Sequence, residues 1–70
     1  MDERLKEVIN LVIEQGYCST SQIQRKFMLG YNRTLKIIEQ MEKMGIVGKF
    51  RGSKPRKVLI FDKDKINSLF

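Results

Sequence analysis

A mainly α chain with one small β-hairpin, arranged as a winged helix-turn-helix, is predicted by three features of this 70-residue sequence. Leu5, Val8, Ile9, Val12 and Ile13 recur at i, i+3, i+4, i+7 and i+8, the apolar stripe of an amphipathic helix. Two more helical stretches follow, joined only by Met28-Leu29-Gly30, and the second is basic. After Gly45 the pattern changes to short β-leaning runs on either side of a Gly- and Pro-containing turn. The expected architecture is three helices, a wing and a short C-terminal helix. It forms one domain over residues 1–70, with 61–70 as an extension.

The first helix is expected over residues 3–15. Asp2 and Glu3 put negative charge at its first turn, where the helix dipole favours it, and Gly16 suits a left-handed C-cap. Tyr17-Cys18 is either a short strand or a simple crossing. Ser19, with Gln22 three residues on, reads as a capping box. The second helix therefore runs through Ile23 to about Phe27, with those two residues facing the core. Gln24, Arg25 and Lys26 face outward. They serve either solubility or phosphate contact, since this helix of a helix-turn-helix crosses the DNA backbone.

Gly30 is the breaker before a third helix from Tyr31 to Met44, which Gly45 closes. At about 100° per residue, Tyr31, Leu35, Ile38 and Glu42 share one side, with Thr34 and Met41 at its margin. All but Glu42 suit a core. Asn32, Lys36, Glu39 and Lys43 form a wholly polar strip roughly a quarter-turn away. Asn pairs with adenine, Lys with guanine, and Glu accepts from cytosine, so the strip has the groups that read base edges. It also fits a solvated face carrying a Lys36–Glu39 ion pair. The surroundings favour a recognition helix.

Ile46–Phe50 and Arg56–Phe61 are the expected strands of the wing, around the turn Arg51-Gly52-Ser53-Lys54-Pro55. Arg51, Lys54, Arg56 and Lys57 cluster at its tip and base. They either guard an exposed strand edge or contact phosphate and the minor groove, and their place after a helix-turn-helix favours the second. Asp62 suits the N-cap of a last helix, Lys63 to Leu69. Ile66, Leu69 and Phe70 either pack it on the domain or leave it to fray.

Composition narrows the function. The net charge is +6. Residues 32–57 hold eight basic and two acidic side chains, and the remainder of the chain is balanced. A localised basic surface is the footprint of a polyanion. No helix joins a basic face to a broad leucine-and-aromatic face, so membrane contact is not expected. No histidine is present and Cys18 is the one cysteine. A zinc site, a His-based triad and an internal disulfide are therefore excluded. Cys18 reads as a small buried apolar residue. No catalytic residue, metal or cofactor is expected, and neither a signal peptide nor a membrane-length apolar run is present, which suggests a cytoplasmic protein.

At Gln24-Arg25-Lys26, Gly30-Tyr31-Asn32-Arg33, Glu42, Gly45 and Gly52-Ser53-Lys54-Pro55-Arg56 the sequence resembles the C-terminal gamma domain of the FtsK/SpoIIIE bacterial DNA translocases. The likeness runs from the first helix to the last. The tail from Asp62 to Phe70 is more similar to the sporulation-type members. The resemblance implies binding to short, polar, G-rich duplex sites that orient a ring-shaped motor for chromosome partition. In division-type members it also implies contact with a site-specific recombinase.

The family's base readers are an Asn, an Arg four residues on and an acidic residue three further. By resemblance these are Asn32, Lys36 and Glu39. Lys replaces the two-pronged Arg with a point charge, so the G-rich preference is expected to persist with a softened or shifted target. Arg25, Lys26, Arg33, Lys43, Arg51, Lys54, Arg56 and Lys57 are the expected backbone contacts. No G-x-x-x-x-G-K-[ST] motif occurs, so ATP hydrolysis is not expected of this chain. It is then either the end of a longer translocase, with the motor in the same polypeptide, or a free-standing relative. Two other readings share the fold: a regulator of plasmid or phage type, which dimerises on half-sites, and a protein-interaction module for a recombinase.

Overall fold

The structure, a computed structural model, describes residues 2–69. Its elements in chain order are α1 (Leu5–Gln15), β1 (Tyr17–Cys18), α2 (Thr20–Phe27), α3 (Tyr31–Lys43), β2 (Arg56–Lys57) and α4 (Lys63–Asn67). All five stripe residues of α1 are buried. Residues 3 and 4, expected inside the helix, form the turn before it. Asp2 caps that turn. Its Oδ1 accepts the Arg4 backbone N–H at 2.8 Å, and its carbonyl accepts the Leu5 N–H at 3.0 Å.

Ser19 caps α2, its Oγ accepting the Gln22 N–H at 3.4 Å. Only this half of the capping box forms. Gln22 Oε1 is buried without a partner among the described residues. The end of α2 also departs from expectation. Met28, not Gly30, takes the left-handed conformation, at φ 56° and ψ 46°. The Leu29 N–H reaches the Gln24 carbonyl at 3.0 Å, the long bond of a Schellman close. A side chain in this conformation costs roughly 1–2 kcal/mol. Gly30 is extended and occupies the N-cap of α3.

The core face of α3 is turned from the expected one. Thr34, Ile37, Ile38 and Met41 are buried, while Tyr31 is 58% exposed and Leu35 is half-buried. The reason is charge. Burying the Tyr31–Leu35–Ile38 side would carry the Glu42 carboxylate toward the core, and desolvating an ion costs several kcal/mol. Thr34, Ile37, Ile38 and Met41 make a complete stripe without a charge. The Thr34 hydroxyl is satisfied by donating to the Gly30 carbonyl at 2.8 Å. At about 100° per residue, the strip of Asn32, Lys36, Glu39 and Lys43 then lies opposite the core rather than a quarter-turn from it.

Gly45 closes α3 as expected. Its φ is +78°, its N–H donates to the Glu42 carbonyl at 3.0 Å, and the Ile46 N–H donates to the Met41 carbonyl at 2.9 Å. The chain then makes the wing. Gly48 N–H donates to the Lys57 carbonyl and Leu59 N–H to the Ile46 carbonyl, both at 2.8 Å. Val47 faces Val58, and Arg51 faces Lys54 at the tip. Regular strand is shorter than the expected 56–61, because β2 pairs on its other side with β1: Tyr17 faces Lys57 and Cys18 faces Arg56, antiparallel. Tyr17-Cys18 is thus a strand, and the pairing ends where β1 ends. Leu59 and Phe61 beyond it are exposed.

Asp62 caps α4, its Oδ1 accepting the Asp64 N–H at 3.0 Å. The helix ends at Asn67 rather than Leu69. Ile66 packs it on the core, whereas Leu69 is exposed; the packing expected of Phe70 lies outside the described residues. One apolar cluster joins the α1 stripe, Cys18, Ile23, Leu29, the α3 stripe, Ile46, Val47, Val58 and Ile66. Burial there pushes the Cys18 thiol up to about 11, against the opposing charge of Arg56.

A Cβ at Gly45 meets nothing within 4 Å, so replacing it isolates the backbone cost. Gly45→Ala is expected to lower stability by about 1–2 kcal/mol, against about 2–5 kcal/mol for Ile38→Ala in the core. Urea denaturation measures both. An unchanged midpoint for Gly45→Ala would contradict the left-handed cap.

Candidate nucleic-acid interface

Asn32, Lys36, Glu39 and Lys43 are all exposed along α3. With a rise of about 1.5 Å per residue they span about 16 Å. Among the described residues none of the four has a hydrogen-bond or ion-pair partner in the protein. The Lys36–Glu39 pair that the spacing allows is not formed. The strip therefore offers amide, ammonium and carboxylate groups outward with their bonding capacity unused.

The basic residues divide into two sets. Arg25 and Lys26 stand exposed in the last turn of α2, Lys43 in the last turn of α3, and Lys54 and Lys57 on the wing, each without a side-chain partner among the described residues. Lys49 belongs with them. It is exposed on the wing, and only its charge, not its position, drew attention in the sequence. Arg51 is exposed at the tip, where Nε and Nη2 donate to the Pro55 carbonyl at 3.0 and 2.6 Å and close the turn.

The other set is engaged inside the protein. Arg56, expected as a wing contact, is 9% exposed. Its Nη1 donates to Glu42 Oε1 at 2.6 Å and to the Gly48 carbonyl at 3.3 Å, and its guanidinium lies 5.9 Å from the Phe50 ring centroid. It ties the C-terminal turn of α3 to both arms of the wing. Glu42, the odd member of the expected core side, is its partner. Arg33 turns away from the strip toward the N-terminal segment: Nε and Nη2 donate to Asp2 Oδ2 and Oδ1 at 2.8 and 3.0 Å. These two bonds, with the Arg4 backbone N–H, hold the Asp2 carboxyl at about 2, and the carboxylate raises Arg33. Both pairs link residues far apart in sequence, where no local pattern signals them.

A cleft of about 220 Å³ lies between the start of α2 and the wing tip, lined by Ser19, Thr20, Ser21, Gly52, Ser53, Lys54 and Pro55. It sets Lys54 beside four hydroxyl-bearing residues, Ser19, Thr20, Ser21 and Ser53. Among the described residues no cluster of three or more His, Cys, Asp or Glu could hold a metal. None of their helices is long and apolar enough to cross a membrane.

Residues 1–61 match the family described as the Ftsk gamma domain. The chain is 48% identical over 63 residues to a DNA translocase FtsK of Halalkalibacterium halodurans, covering 90% of this chain and 8% of that protein. It is 47% identical over 66 residues to the DNA translocase SftA of Bacillus subtilis, covering 94% and 7%. To a DNA translocase FtsK of Clostridium tetani it is 49% identical over 63 residues, covering 90% and 8%. The chain thus spans a small fraction of the length of these relatives.

Two variants probe the internal pairs. The folded pKa of Asp2 is depressed, so its pairing stabilises the fold above the ordinary carboxylate value near 3.9. That stability is lost as pH falls toward about 2. Carboxyl titration by NMR is expected to give a midpoint of about 2 for Asp2, rising in Arg33→Ala toward the ordinary carboxylate value but staying below it, because the Arg4 backbone N–H still donates to Asp2. A wild-type midpoint near 3.9 would contradict the pair. Glu42→Ala leaves the Arg56 guanidinium without its anion and is expected to lose roughly 1–3 kcal/mol in urea denaturation.

Proposed function

The chain belongs to the FtsK gamma-domain family, and on that premise we propose that it binds double-stranded DNA and orients a chromosome translocase motor through short, polar, G-rich sites. The observation that carries the proposal is the outward strip on α3, opposite the core and without side-chain partners among the described residues. In the free protein these exposed groups bond only to water. DNA base edges offer each of them a partner.

In this reading Asn32, Lys36 and Glu39 read bases in the major groove. Arg25, Lys26, Lys43, Lys49, Arg51, Lys54 and Lys57 hold phosphates and fix register. Arg33 and Arg56 act differently, holding the N-terminal segment and the wing in place through Asp2 and Glu42. The chain itself does no chemistry. The motor it serves lies in a longer polypeptide of the kind its relatives represent, and a site-specific recombinase is the protein partner that the family resemblance implies. Family membership favours this reading over a free-standing plasmid or phage regulator.

The roles assigned to Lys36 and Lys54 are separable. Lys36→Ala is expected to reduce discrimination between a G-rich polar duplex and a scrambled duplex of equal composition by about 1–3 kcal/mol. Lys54→Ala is expected to weaken both alike and to flatten the salt slope by about one unit. Fluorescence anisotropy reads both effects. Equal weakening of both duplexes by both variants would remove Lys36 from base reading.

A further inference from the structure

Met28 is explained neither by folding nor by the roles assigned so far. It occupies the left-handed position that ends α2, at φ 56°, where glycine is the ordinary residue. Its side chain is 90% exposed. The bonds that close the helix, from Met28 and Leu29 N–H to the Gln24 carbonyl, are backbone bonds that glycine makes equally well. The side chain therefore strains the backbone and shows an apolar thioether to water, and it buries nothing in return.

Its place in the fold gives it a use. Met28 stands in the turn between α2 and α3, two residues before the N-cap of the helix that carries the strip. Arg25 and Lys26 precede it within one turn, and Tyr31, also exposed, opens α3. Met28 thus stands, exposed, four residues ahead of Asn32, the first residue of the polar strip. The major groove has one apolar group on its base edges, the 5-methyl of thymine. A thioether is flexible and polarizable and adapts its shape to such a group.

We infer that Met28 is a DNA contact that reads the 5-methyl group of thymine at the edge of the major groove. The inference rests on the DNA-binding reading above. The strip reads hydrogen-bonding groups, and Met28 adds recognition of a methyl group that none of them detects.

The test uses two duplexes carrying the G-rich polar element, one with thymine and one with every thymine replaced by uracil. Binding of wild type, Met28→Gly and Met28→Leu is measured by fluorescence anisotropy, with a thermal melt of each protein. Burying a methyl predicts that wild type and Met28→Leu bind the uracil duplex about fourfold more weakly than the thymine duplex. Met28→Gly is expected to bind the thymine duplex at that weaker level and to ignore the change to uracil. Its melting temperature is expected to equal or exceed that of wild type, so loss of fold does not explain the weakening. Equal binding of the two duplexes by wild type, or an undiminished thymine preference in Met28→Gly, would overturn the inference while leaving the DNA-binding reading intact. Absence of wild-type binding to either duplex at low salt would refute that reading, and the inference with it.

Discussion

The burial of Thr34, Ile37, Ile38 and Met41 is the constraint on which the rest of this structure depends. It fixes the rotation of α3 about its own axis. Each large apolar side chain buried there contributes about 1.5–3 kcal/mol. The competing rotation, through Tyr31 and Leu35, gains no more than that and drives a carboxylate toward the core at a cost of several kcal/mol. Once the rotation is chosen, Asn32, Lys36, Glu39 and Lys43 must face away from the protein. Glu42 must fall at the margin, where Arg56 meets it at 2.6 Å.

That pair carries the orientation of α3 into the wing. Arg56 belongs to β2, which pairs with β1 on one side and with the returning arm at Gly48 on the other. Through the side chain of Arg56 and the backbone of its strand, α3, the wing and β1 share a frame. The pair is about one-tenth exposed on the arginine side and about two-fifths on the glutamate side. It works as a shielded strut rather than a freely solvated surface bridge, the kind worth little. Arg33 plays a looser version of the same part for the N-terminal segment. Each of these pairs cancels one cation against one anion, so the +6 net charge resides entirely in the remaining side chains. What remains for a polyanion stands at the end of α2, along α3 and on the wing.

Much of this was legible in the sequence, and the exceptions have physical causes. The α1 stripe, the Ser19 cap, the Gly45 close and the polar strip follow from local spacing, and local spacing determined them. The rotation of α3 is ambiguous in the sequence because Leu35 and Ile37 are both apolar. Only the avoided burial of Glu42 decides between them. Gly30 looked like the breaker, but Met28 took the left-handed turn, which composition does not foretell. The roles of Arg33 and Arg56 were hidden because Asp2 and Glu42 reach them across 31 and 14 residues. Strand lengths in the wing depended on β1, and Tyr17-Cys18 alone carries too little pattern to announce itself.

The central claim is that an outward, unpartnered strip on α3 reads DNA while separate cations hold its backbone. The most direct test is the affinity of the wild-type chain for a G-rich polar duplex and for a scrambled duplex of the same composition, each at two salt concentrations. DNA reading by the strip predicts tighter binding to the polar duplex. It also predicts a log–log salt slope of roughly −4.5 to −6.3 for both, from about five to seven phosphate contacts at about −0.9 each. Equal affinity for the two duplexes, or a slope near zero, would contradict it.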